Sequence, residues 1–144
     1  MLAPACAPDS RYVPPVPVDL SSSDEQARLS PSALRSFFNI AEAWGIPQEA
    51  GMALLGGVSS KTYYNYRTKG AKLDQDRLTR ISYLVGIFKA LNILHSENLA
   101  DAWPTRQNSN RIFKGQSPVA YMIVGGLPAM QVVRRLLDAR RGGV

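Results

Sequence analysis

Residues 52–66 read MALLGGVSSKTYYNY, and this stretch holds the side chains best suited to reading a nucleic acid. Ser59, Ser60, Lys61, Tyr64 and Asn65 gather within it, with Arg67 and Lys69 just beyond. Asparagine pairs bidentately with adenine, lysine and arginine reach guanine edges or phosphates, and hydroxyls position a backbone. Such a set works only if one helix presents it to a major groove, and the spacing predicts a helix-turn-helix. Ala53 supplies a small residue before the turn, Gly57 a residue free to take positive φ, and Val58 the apolar residue after it. Tyr63 and Tyr66, three apart, anchor the second helix in a core. A tight αα-hairpin with a solvated polar face would share this spacing. The net +4 of residues 61–82, six Lys or Arg against Asp74 and Asp76, favours the groove.

Catalytic chemistry finds no comparable arrangement. Gly51 and Gly56 have the spacing of a phosphate loop, but Gly57-Val58 follow where lysine and a hydroxyl should stand, and no strand precedes them. His95, the one histidine, reads as a residue packed or capping at a helix end. Cys6, the one cysteine, has no cationic neighbour closer than Arg11 to lower its pKa. One cysteine and one histidine exclude an internal disulfide and zinc sites built from Cys or His pairs. The expectation is a non-enzyme with no catalytic residues, no metal and no cofactor.

The elements that must carry the groove-facing set are helical throughout. Residues 1–29 hold five of the ten prolines and a Ser21-Ser22-Ser23 run, and read as a flexible arm. Ser30-Pro31 reads as the cap and first position of a helix, with Leu34, Phe37, Phe38, Ala41 and Trp44 on one face. Gly45-Ile46-Pro47 ends it. A short helix over 48–55, a second capped by Ser59 and a long one capped by Asp74 and reaching Leu94 follow. The long helix is apolar on two sides, through Leu78, Ile81, Val85 and Phe88 and through Leu84, Ile87, Leu91 and Leu94. That predicts a central helix that also contributes to a dimer interface. Ser96 and Ser117 cap further helices, Gly125-Gly126 closes one, and Leu127-Pro128 starts the last. The reading is all-α: a small helical bundle in three parts, an arm over 1–29, a helix-turn-helix and long dimer helix over 30–94, and a C-terminal helical domain over 95–144.

The 144 residues suffice for one compact domain or two small subdomains sharing a core, which excludes a multidomain enzyme. Near the C-terminus the longest apolar stretch is Val119–Val124, far short of a bilayer span, and no secretory signal is readable. A cytoplasmic protein without membrane contact is expected. The net charge of +6 is unevenly placed. Residues 1–60 carry three arginines against six carboxylates, whereas residues 61–144 carry fourteen cations against five. A basic half of this kind suits an anionic partner.

The C-terminal third carries a more specific pattern. Trp103-Pro104, the stretch NRIFKGQSP over 110–118, a helix closed by Gly125-Gly126 and the final VVRRLLDA over 132–139 together resemble the toxin-binding domain of Xre/MbcA/ParS-type antitoxins. The helix-turn-helix resembles the Xre-like domain that such antitoxins carry. The resemblance covers residues from about 30 to 144. It implies a type II antitoxin that binds a cognate RES-domain toxin, either an NAD hydrolase or an ADP-ribosyltransferase, and blocks its active site. It implies a homodimer within a hetero-tetramer or larger complex, and repression of its own promoter DNA. By the same resemblance Trp103, Phe113, Gly115 and Pro118 would be structural. Arg134, Arg135, Arg140, Arg141, Gly142, Gly143 and Val144 would form the toxin-binding surface. Arginine forks and a terminal carboxylate suit a site shaped for a dinucleotide, although Arg140 and Arg141 also match the cation preference of a helix C-terminus. A free-standing helix-turn-helix repressor without a toxin partner, and a helical adaptor that binds only protein, are the alternatives.

Overall fold

A computed structural model describes residues 18–142, and among these the regular structure is entirely helical. Six α-helices follow one another: α1 (Ser23–Trp44), α2 (Gln48–Leu54), α3 (Ser60–Thr68), α4 (Gln75–Leu94), α5 (Glu97–Ala102) and α6 (Pro118–Arg141). Two 3₁₀ turns, Trp103–Thr105 and Arg111–Phe113, lie between α5 and α6.

The first helix begins seven residues before the cap predicted at Ser30. Ser22 is its N-cap, with its hydroxyl accepting from the Glu25 N–H and with Asp24 and Glu25 in the first turn. This is the Ser-x-x-Glu pattern of a capping box, and the acidic residues suit the positive end of the helix. The helix runs through Pro31, which stands on the exposed side. Ser30 does something other than cap. It is buried at 1% exposure, its hydroxyl donates to the Gln26 carbonyl at 2.5 Å, and it accepts from the Leu73 N–H at 2.7 Å. One hydroxyl therefore ties α1 to the segment that joins α3 and α4. Residues 23–29, read from sequence as arm, belong to this helix; residues 1–17 lie outside those described.

Helix α4 sits between α1 on one side and α6 on the other. Leu78, Ile81, Leu84, Ile87, Ala90 and Leu91 are buried against Leu34, Phe37 and Ile40 of α1 and Met122, Met130, Val133 and Leu137 of α6 in one continuous core. The apolar circumference of α4 is thus largely covered by its own chain. Val85 and Phe88 are left half-buried and Ile93 is 63% exposed.

Helix α6 changes direction inside its span. Gly126 takes φ 67° and ψ −147°, a conformation nearly confined to glycine, and Pro128 follows where the chain resumes its helix. The predicted close of one helix at Gly125-Gly126 and restart at Leu127-Pro128 corresponds to this kink.

Candidate nucleic-acid interface and C-terminal surface

The turn between α2 and α3 is built from two glycines with positive φ, Gly56 at 97° and Gly57 at 87°. Their geometry lets the Gly57 and Val58 N–H groups both reach back to the Met52 carbonyl, at 2.9 and 3.3 Å. Val58 is buried behind the turn, and Ser59 caps α3 by accepting from the Thr62 N–H at 3.1 Å. Tyr63 is buried at 2% exposure, and Tyr66 packs half-buried against the core. Both tyrosines therefore stand where the spacing places them.

The small residue that permits this packing is Gly51 and not Ala53, which the spacing predicts for that role. An added side-chain carbon at Gly51 would collide with the Tyr63 hydroxyl, whereas Ala53 is only half-buried. Phe37, Phe38 and Tyr63 then meet edge to face, Tyr63 at 6.2 and 5.2 Å from the two phenylalanines. Burial raises the Tyr63 phenol above its ordinary value of 10.0, and the nearby Arg67 partly opposes this.

Of the groove-facing set, Ser59, Ser60, Lys61 and Tyr64 are exposed, Tyr64 at 63%, and Asn65 is half-exposed beside them. Among the described residues, Lys61 has no ion pair and Tyr64 is left largely uncovered. Arg67 is placed differently. Its guanidinium lies over the Phe38 ring at 5.1 Å and over Tyr63 at 5.5 Å, against α1. Lys69 is exposed at the end of α3. The basic run does not continue outward into α4. Arg77 pairs with Asp74 at 3.2 Å, and Arg80 pairs with Asp76 at 2.9 Å while donating to the Leu54 carbonyl at 3.5 Å. Arg80 also lies against Gly56 of the turn and Gly126 of the α6 kink, so it joins the helix-turn-helix to the C-terminal helix.

In the C-terminal part, the Asn-x-x-Phe-x-Gly-x-x-Pro stretch is scaffold. The Asn110 side chain accepts from the Ile112 N–H at 3.1 Å and opens the second 3₁₀ turn. Phe113 is fully buried between Trp103, at 5.9 Å, and Tyr121, at 5.2 Å, both edge to face. Gly115 takes φ 84°, and Ser117 caps α6 with buried Pro118 at its first position.

The arginines expected on the toxin side divide. Arg134 folds back onto α4, its guanidinium so close to Gly86 that any side chain there would meet it, and it pairs with Asp138 at 3.0 Å. Arg141 lies 3.7 Å from the same carboxylate. Arg135 and Arg140 are exposed and, among the described residues, have no carboxylate in ion-pair range. Gly142 is exposed after the last turn, and Gly143 and Val144 lie outside the described residues.

His95 ends α4 and leaves its buried Nε2 without a partner among the described residues. No group of three or more metal-ligating side chains occurs among those residues, and no helix there is long and apolar enough to cross a membrane.

Residues 25–86 match the antitoxin Xre-like helix-turn-helix domain. The chain is 36% identical over 124 residues to y4oB, an uncharacterized protein of Sinorhizobium fredii, an alignment covering 85% of this chain and 94% of that protein. No solved structure matches the chain.

Proposed function

The chain belongs to the family of the Sinorhizobium fredii protein y4oB and carries an antitoxin Xre-like helix-turn-helix domain, and from that premise we propose that it is the antitoxin of a type II pair. In this reading it binds its own promoter through α3 and neutralises a cognate RES-domain toxin that consumes NAD through its C-terminal region. It acts in the cytoplasm as a homodimer within a larger complex with the toxin, and performs no catalysis itself.

The observation that carries the reading is that, among the described residues, exposed cations without an ion pair stand both on α3 and near the end of α6. Lys61, Tyr64 and Asn65 stand outward on α3, where a major groove would receive them. Arg135 and Arg140 stand outward at the far end of α6. Arg77, Arg80 and Arg134, by contrast, each pair with a carboxylate three or four residues away. A repressor acting alone needs only the first surface. The second, Arg135 and Arg140, supplies the donors that an anionic dinucleotide would engage at such a site.

The DNA half of the proposal is tested on the chain's own promoter. Replacing both Lys61 and Asn65 by alanine should weaken binding of that duplex by roughly tenfold or more and erase its advantage over a scrambled duplex. Unchanged promoter binding by the double variant would assign α3 a purely scaffolding role.

A further inference from the structure

Helix α3 does not present its cations on one face. Successive residues advance about 100° around a helix. Lys61, Tyr64, Asn65 and Thr68 therefore share one side, while Arg67 is turned about 120° from Lys61. Turned that way it meets α1, where the Phe38 and Tyr63 rings hold its guanidinium. Aromatic faces attract the cation without using up its N–H donors, so those not turned to the Tyr63 hydroxyl remain available to an acceptor.

Arg67 shares an open cleft of about 420 Å³ with Arg35 and Asn39 of α1 and with Thr68 and Lys69 at the end of α3. Among the described residues, Arg35, Arg67 and Lys69 have no carboxylate in ion-pair range. Glu42 lines the adjoining cleft on the other flank of Arg67 but forms no ion pair with it. The contrast with Arg77 and Arg80, each neutralised by a carboxylate three or four residues away, is sharp. Three like charges around one cleft repel one another, and an anion seated among them reverses the sign of that interaction. Two guanidinium forks and an ammonium match a phosphate in charge and in donor geometry.

We propose that this cleft is a phosphate-binding subsite in which Arg35, Arg67 and Lys69 grip the DNA backbone beside the groove that Lys61, Tyr64 and Asn65 enter. The assignment rests on the DNA-binding reading above and adds a contact from outside the two helices of the motif. Arg35 has no distinguishing neighbourhood in the sequence; only the packing of α1 on α3 brings it to Arg67. A backbone contact fixes position and carries no base information, so its loss has a different signature from the loss of a groove residue.

The test measures affinity of the full chain for its promoter duplex and for a random duplex of equal length across a salt series. Arg35→Ala should weaken both duplexes by the same factor, roughly three- to tenfold, and lower the slope of log affinity against log salt by about one. Arg35→Lys, which keeps the charge, should restore most of both. Arg35 is exposed, and an unchanged helical circular-dichroism spectrum checks that the variant folds. If Arg35→Ala leaves affinity and slope unchanged while Asn65→Ala still weakens the promoter duplex, the cleft is not a phosphate site and the groove reading stands. If the parent chain binds neither duplex, the DNA-binding reading fails and the cleft assignment falls with it.

Discussion

The contact between Gly51 and Tyr63 sets how closely the two helices of the motif approach. Because the Tyr63 hydroxyl occupies the space of a side chain at Gly51, Gly51→Ala should overpack the site. The expected cost is about 1–3 kcal/mol in a denaturant titration, and much of it should return in the Gly51→Ala, Tyr63→Phe double variant. An unaltered midpoint for Gly51→Ala would show that the tyrosine moves aside freely. The same phenol gives a pH dependence. Its pKa is raised in the folded state above the ordinary 10.0, so the stability it contributes is intact below that pH and is lost as pH rises through the raised value. The thermal midpoint of the parent should therefore fall more steeply than that of Tyr63→Phe as pH rises above 10.0. The role of Tyr63 was legible from its spacing to Gly57 and Val58, but that of Gly51 was not. Residue type marks both Gly51 and Ala53 as small, and only the direction from which Tyr63 arrives distinguishes them.

At the scale of elements, hydrophobic periodicity and caps located α2 through α6 closely, because Ser59, Asp74 and Ser117 each cap with their own side chain. The start of α1 was misplaced for a physical reason. Ser30-Pro31 has the composition of a helix start, yet Ser30 uses its hydroxyl to hold Leu73, and a proline on the exposed side of a long helix is carried by the packing around it. The signal that locates the true start, Ser22 followed by Asp24 and Glu25, was masked by the serine run in which it lies. The kink in α6 was visible as Gly125-Gly126 followed by Leu127-Pro128, although its backbone conformation was not. Gly126→Ala would force a β-carbon into φ 67°, ψ −147° and should destabilise the fold by about 1–3 kcal/mol. Gly125→Ala is a poor control, since it would crowd Ala129. Gly142→Ala, in a residue of ordinary φ at −76°, should change stability little. Equal, small effects at Gly126 and Gly142 would contradict a conformational requirement at the kink.

For the whole molecule, the charge asymmetry read from the sequence is real but coarse. It counts Arg77, Arg80 and Arg134 with the cations available to partners, whereas the fold turns each of them onto a neighbouring carboxylate. Among the exposed cations without an ion pair in the described residues, one group lies around α3 and α1 and another, Arg135 and Arg140, near the end of α6. The pairings of Arg77, Arg80 and Arg134 lie three or four residues apart and are legible in the spacing, whereas the approach of Arg35 to Arg67 depends on how α1 packs on α3. In the function proposed above, the second group and the residues that follow it obstruct an NAD-consuming toxin independently of DNA. The most direct measurement is the rate of NAD consumption by the cognate RES-domain toxin, mixed with the full chain or with a chain ending at Ala139. The full chain should stop NAD consumption, and the shortened chain should leave most of it running while still binding the promoter duplex. Full neutralisation by the shortened chain would contradict it.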